Sequence, residues 1–189
     1  MSNNHISSYK DGKIRTYTIP GKFSNKGLNS IIEDAKGNFW ISENFEWYYS
    51  FNVQHLVIFN PKDGSVVKVN DYLGTDLAFH SVISGPAREI YISTKNGRLL
   101  QFDTHNKKMR IIKEFDNENM KLLYASEDKL YVCEEINATS YARLYVLNKS
   151  GQILSETDVH GTFLKSVFEV NNKAFYVYDD KHSHQVVKA

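Results

Sequence analysis

The sequence predicts an all-β chain built as a β-propeller, and three observations predict it. Four segments share an aromatic residue followed by a β-branched residue and a short or polar one: FWISEN at Trp40, IYISTK at Tyr91, LYVCEE at Tyr131 and FYVYDD at Tyr176. Their period is roughly 45 residues, the length of a four-strand propeller blade. Apolar residues alternate or form short continuous runs and do not recur at three and four over any useful length, so no helix is expected. An immunoglobulin-type sandwich would space its turns similarly but would not repeat one aromatic motif in register.

The elements follow in order, with strands named A to D from the innermost outward. HISSYK-DGK-IRTYTIP, within residues 1–20, is a hairpin about an Asp-Gly turn and forms the second half of a unit. Unit 27–71 opens with LNSIIED, an AKG turn and FWISEN, then continues with HLVIFN-PKDG-SVVKVN. Unit 78–115 places HSVIS and GPAR before its Tyr91 strand and closes with GRLLQFD-THNK-KMRIIKE. Unit 119–159 runs KLLYAS, EDK, the Tyr131 strand and ARLYVLN-KSG-QILSETD. The last unit, 162–189, has KSVFEV, NNK, the Tyr176 strand and HQVVKA as a third strand. In each, β-branched and aromatic runs flank turn-forming Asp, Asn, Gly and Pro.

Residues 1–189 thus read as a single propeller domain or propeller fragment of about four blades, with both ends inside a unit. IRTYTIP could serve as the outer strand of the Tyr176 blade, closing a four-bladed ring and leaving HISSYK surplus. The other arrangement is an incomplete part of a six- to eight-bladed ring, which the mid-unit ends favour. An open arc of that kind would self-associate through its blade edges.

Composition narrows the function classes. With 41% hydrophobic and 13% aromatic residues the chain can bury a sizeable core. Its 23 Lys and Arg against 22 Asp and Glu give a charge of +1, with no field to attract nucleic acid. No run approaches the roughly 18 apolar residues of a membrane span. MSNNHISSYKDGK lacks a signal-peptide core, so the chain as written reads as cytoplasmic, and as extracytoplasmic if it is an excerpt of a sensor. The lone cysteine, Cys133, lies between Val132 and Glu134 in a B strand and reads as a buried hydrophobe.

Aligning the units on their aromatics places Asn29, His80 and Lys165 at one offset near the start of strand A, each followed by a serine, at 30, 81 and 166. A one-residue shorter turn brings Lys121 to the same place. Strand A lines the channel of a propeller, so these residues would form a polar ring. Strand B returns antiparallel, which sets Glu43, Thr94, Glu134 and Asp179 on the border of the same face. Cations with carboxylates around them suit a small anionic or carbohydrate ligand. A structural role for the ring is the competing interpretation: the repeated serine suits a hydrogen bond that holds adjacent blades in register.

The B to C loop of the first blade, within 43–54, carries Phe45, Trp47, Tyr48, Tyr49 and Phe51 in seven residues. Such rings give contact area at low entropic cost and suit a sugar, a peptide or a protein partner. They could equally extend the hairpin and fold onto the neighbouring blade. His182 and His184 alternate without a third metal ligand beside them, and no G-x-S-x-G elbow is present, so no metal site and no catalytic residue is assigned.

GLNSIIEDAKGNFWISEN resembles the repeat of two-component-regulator propellers, in which a polar and apolar lead is followed by Asp, a Gly turn and a Trp strand. The chain is also similar to virginiamycin B lyase-type propellers, in which a strand like IRTYTIP precedes a blade ending in Trp, aromatic, Thr and Glu. The resemblance covers the Trp40 blade well. At the other blades Trp becomes Tyr and the Asp-x-x-Gly turn becomes GPAR, SEDK or VNNK. The regulator resemblance implies a non-catalytic sensor or recognition module without cofactor. The lyase resemblance implies the alternative, a metal-assisted lyase or lactonase with His80 as general acid or base and Glu43, Glu134 or Asp179 helping to hold a divalent cation. In the lyase type the His and Glu surround an intact ring, whereas here only one blade offers a histidine.

Overall fold

The computed structural model describes residues 5–20, 28–44, 53–73, 77–118, 120–136, 141–160, 163–171, 173–180 and 183–188. Asp11 and Gly12 both have positive φ, 50° and 73°, as a two-residue hairpin turn requires, and they join β1 (His5–Lys10) to β2 (Lys13–Thr18). A first full blade follows: β3 (Leu28–Glu33), β4 (Phe39–Asn44), β5 (Val53–Phe59) and β6 (Val66–Lys68). The second is β7 (Phe79–Ser84), β8 (Ile90–Thr94), β9 (Arg98–Asp103) and β10 (Lys108–Glu114). In the third, β11 (Met120–Ala125), β12 (Lys129–Ile136), β13 (Tyr141–Asn148) and β14 (Ile153–His160) pair in sequence. The last sheet has β15 (Phe163–Val170), β16 (Lys173–Asp180) and β17 (Ser183–Lys188). All pairings are antiparallel, and the innermost strands β3, β7, β11 and β15 lie side by side in that order.

Strands that lie between two sheets, such as β8 and β12, are apolar on both faces because each face is covered by a neighbour. Successive strand residues point to opposite sides, so the B strands divide their side chains between two layers. Trp40 meets Ile90 and Ile92 in one layer; Tyr91 meets Leu130 and Val132 in the next; Tyr131 and Cys133 meet Leu164 and Val167 in the third. Ile41 turns the other way and packs with Val57 and Phe59 against Ile6 and Ile19 of the N-terminal hairpin. The core is therefore a row of slabs between sheets.

Three expectations change in the structure. First, among the described residues β2 pairs with β1 alone and β17 with β16 alone, so IRTYTIP is not paired as the outer strand of the Tyr176 blade; its apolar face is used against the first blade instead. Second, SVVKVN is not a full strand. β6 is three residues long and passes into a short helix, α1 (Val69–Leu73), whose fully buried Val69 reaches the layer between the first two blades. The Asn70 amide fastens it by donating to the Leu77 carbonyl at 3.0 Å and accepting the Leu77 N–H at 3.2 Å.

The third change concerns the last repeat. Val170 pairs directly with Lys173, a tighter turn than the five-residue connections of the first two blades. Because strands alternate, a one-residue difference exchanges the two faces. Tyr176 accordingly faces back into the third layer with Ala174 and Tyr178, and Phe175 takes the position of Trp40, Tyr91 and Tyr131. Its ring stacks on Phe168, 5.6 Å between centroids.

Candidate functional site

Asn29, His80 and Lys165 each occupy a β-bulge. In the first blade Leu28 pairs with Glu43 and Ser30 with Ser42, leaving Asn29 as the extra residue. In the second, Phe79 pairs with Thr94 and Ser81 with Ser93 around His80. In the fourth, Leu164 pairs with Tyr178 and Ser166 with Val177 around Lys165. Counted from Phe175, the fourth register equals the first two. The three positions thus share a repeated bulge, a device that leaves one extra residue out of the ladder. Lys121 falls outside this pattern: it pairs in the ladder with Cys133, and the third blade places its bulge at Leu123.

The described groups at this end are engaged by neighbours. His80, almost fully buried, sets Nδ1 2.8 Å from the Met120 carbonyl of the next blade, where an Nδ1–H donates. The next residue continues the contact, since Ser81 Oγ accepts the Leu122 N–H at 2.9 Å. Together they engage two backbone groups on the inner edge of β11, the first of the described strands in its sheet. Ser81 also shares a hydrogen bond with Ser93 Oγ at 2.7 Å, and Ser30 repeats this with Ser42 at 2.8 Å. The serine partners were present in the sequence as the short residue two places after the aromatic in FWIS and IYIS.

Glu134 lies at the end of β12 opposite Met120. Asn117 donates its side-chain N–H to Oε1, and Tyr145 donates its hydroxyl to Oε2 at 2.7 Å. Burial, followed by the adjacent Glu134, raises the Tyr145 phenol above its ordinary range, so it stays a donor. Asn117 and Tyr145 were not singled out in the sequence; nothing local marks them, as they come from a loop and a C strand. Among the described residues, no three His, Cys, Asp or Glu side chains converge as a metal would need.

For Asn29, Glu43, Lys165 and Asp179 the backbone position is described and the side chain is not. Glu43 pairs with Leu28 and Asp179 with Phe163. In the Phe175 register the position shared by Glu43, Thr94 and Glu134 falls on Tyr178, one residue before Asp179. Trp47, Tyr48 and Tyr49, with the rest of loop 45–52, lie outside the described residues, as does His182.

At the opposite end of the strands, the repeated aromatics anchor turns and neighbouring blades. Trp40 donates its indole N–H to Asp34. Tyr91 has its hydroxyl 3.0 Å from Lys149 Nζ, a residue of the third blade whose ammonium also sits 4.5 Å over the ring. Burial lowers the Lys149 pKa. Tyr131 donates its hydroxyl to Glu169 in β15, and Lys129 adds an ion pair to the same carboxylate at 3.7 Å.

No family model matches the chain and no curated protein matches it. Solved structures do. Virginiamycin B lyase from Staphylococcus aureus superposes with a TM-score of 0.60 at 17% identity, over 99% of this chain and 63% of that one. The Dos1 propeller gives a TM-score of 0.55 at 10% identity, over 93% of this chain and 48% of that one. The chain has the β-propeller fold. A chain in the structure of the mitotic checkpoint complex is similarly related, with a TM-score of 0.59 at 12% identity, covering 90% of this propeller and 50% of its own length. At such identities the likeness is one of fold. This propeller spans 63% of the lyase chain and about half of the other two.

Proposed function

We propose that the protein is a non-catalytic recognition module, which takes a small anionic or carbohydrate ligand, or a protein, at the end of the strands where the bulges lie. The supporting observation is the engagement of His80 and Glu134. His80 gives its Nδ1 to a backbone carbonyl, and Glu134 accepts a hydrogen bond on each oxygen. Groups held this way form a rigid rim whose geometry is set before anything binds, which lowers the entropic cost of recognition. The metal-assisted alternative asks the same carboxylate to exchange two neutral donors for a cation, and only the shared fold with a lyase speaks for it. Relation to a chain in the mitotic checkpoint complex supports protein docking, for which loop 43–54 supplies the aromatics.

A thermal-shift screen against sugars, sugar acids, phosphorylated metabolites and divalent ions tests the reading, because a ligand that binds only the folded state raises its apparent stability. A rise with an anionic or sugar class, lost on Lys121→Glu with Lys165→Glu, is the expected result. A rise with divalent ions alone, lost on Glu134→Gln, would favour the enzyme. If no class raises stability, the small-ligand reading is rejected and the aromatic loop becomes the surface to test, by binding partners to the Trp47→Ala variant.

A further inference from the structure

A wide opening lies away from the bulges, at the turn end of the strands. The N-terminal hairpin is seated on the first blade by Ile6, Ile19 and Tyr17, and toward its tip it parts from the blade to leave a cleft of about 600 Å³. Its register decides what faces that cleft. Ile6 pairs with Tyr17, Ser8 with Arg15 and Lys10 with Lys13, so all six lie on the face turned to the blade. The apolar pair holds the hairpin down, and beyond it the same face carries three cations.

Those cations lack compensation among the described residues. None of Lys10, Lys13 and Arg15 has a described carboxylate within ion-pair distance. Glu33, on the opposite wall, is held by Arg88 at 2.9 Å. Asp11 in the turn is the other carboxylate at the opening. Lys10 and Lys13 are directly opposed, and like charges in that position destabilise a strand pair. Between the walls lie aromatic rings: Tyr17 meets Phe39 edge to face at 5.7 Å, and Phe39 stacks on Phe59 at 6.3 Å. Three such cations above an aromatic floor, enclosed on two sides, make a receptor for a molecule bearing both negative charge and a flat ring.

We propose that this cleft binds small aromatic anions, such as aryl phosphates or aryl carboxylates, with Lys10, Lys13 and Arg15 on the anionic group and Tyr17 and Phe39 against the ring. The site is separate from the one at the bulges, and neither depends on the other.

Titration of the chain at low ionic strength with phenyl phosphate, inorganic phosphate and phenol, followed through its amide resonances, tests the proposal. Phenyl phosphate is expected to shift the amides of Lys13, Arg15, Glu33 and Gly37 saturably. Inorganic phosphate, lacking ring contacts, should bind about fivefold more weakly, and phenol should not saturate. The combined Lys10→Gln, Lys13→Gln and Arg15→Gln variant changes only exposed side chains, and unchanged amide resonances in β7–β16 are the check that the blades keep their fold. It should weaken phenyl phosphate about tenfold or more. Equal affinity in that variant, a phenol response matching phenyl phosphate, or shifts confined to the His80 end would overturn the proposal. Because the Lys121 and Lys165 variants leave this cleft intact, failure here and failure of the recognition reading are told apart.

Discussion

Asp34 accepts the indole N–H of Trp40 at 3.1 Å, and both groups are shut away from water. The same carboxylate takes the backbone N–H groups of Lys36 and Asn38 and the Asn38 side chain, each at 2.9 Å. One residue thereby fixes the turn and the ring that fills the first interblade layer. Asp34→Ala removes the acceptor, leaving the buried Trp40 indole N–H unpaired and the half-buried turn without its anchor, so urea unfolding should show a loss of about 3 kcal/mol. Trp40→Phe leaves the turn intact and should cost about 2 kcal/mol, chiefly from lost packing beside Phe102.

Ser81→Ala isolates the Leu122 N–H at the seam between the second and third blades. The expected cost is about 1–2 kcal/mol. Hydrogen exchange gives the more specific check, since the Leu122 amide should exchange faster while the amides of β13 keep their protection. Unchanged exchange at Leu122 would show that the serine is not its acceptor.

Alkaline stability follows from Tyr91, whose phenol is pushed up from 10.0 to about 12, first by burial and then by Glu89. A raised phenol pKa means that the folded state favours the neutral form. Its contribution is complete below pH 10, where both states are neutral, and is lost between 10 and about 12 as the unfolded chain ionises first. Tyr131 is raised in the same direction by burial and by its bond to Glu169. Urea midpoints should therefore fall as pH rises through this window, and Tyr91→Phe should flatten the fall.

Two glycines in the left-handed region distinguish strain from collision. Gly12, at φ 73°, has open space where an added methyl would sit, whereas at Gly151, φ 89°, that methyl would meet the Ile112 carbonyl oxygen at 2.2 Å. Gly12→Ala should cost about 1 kcal/mol from backbone strain alone. Gly151→Ala should cost about 3 kcal/mol, because the turn between β13 and β14 must also withdraw from β10. Thermal midpoints of the two variants give the comparison.

Sequence periodicity was sufficient for the strands, since the aromatic repeat records a real demand: each ring must fill a slab between sheets. It placed Trp40, Tyr91 and Tyr131 in equivalent positions, and it could not resolve Phe175 from Tyr176, because two adjacent aromatics fit the motif and only the short turn from Val170 to Lys173 selects between them. Helix α1 escaped notice because five residues carry no period, and its anchor, Asn70, bonds seven residues ahead. At the candidate site the equivalence of Asn29 and His80 was visible as an offset, and Lys165 shared that offset only from Tyr176, where the adjacent aromatic makes up for the shorter turn. The physical basis of the equivalence, a bulge, was not visible, since a bulge is a property of pairing between strands. Asn117 and Tyr145 reach Glu134 only through the fold.

The row of slabs has a consequence for how the chain comes apart. The first blade touches the second, the second the third and the third the last, with a distinct apolar cluster at each junction. Such an array behaves as a line of coupled units, where damage at one junction is felt by its immediate neighbours and attenuates beyond them. The second and third blades, each with an apolar cluster on both faces, should then release their amides after the sheets on either side of them.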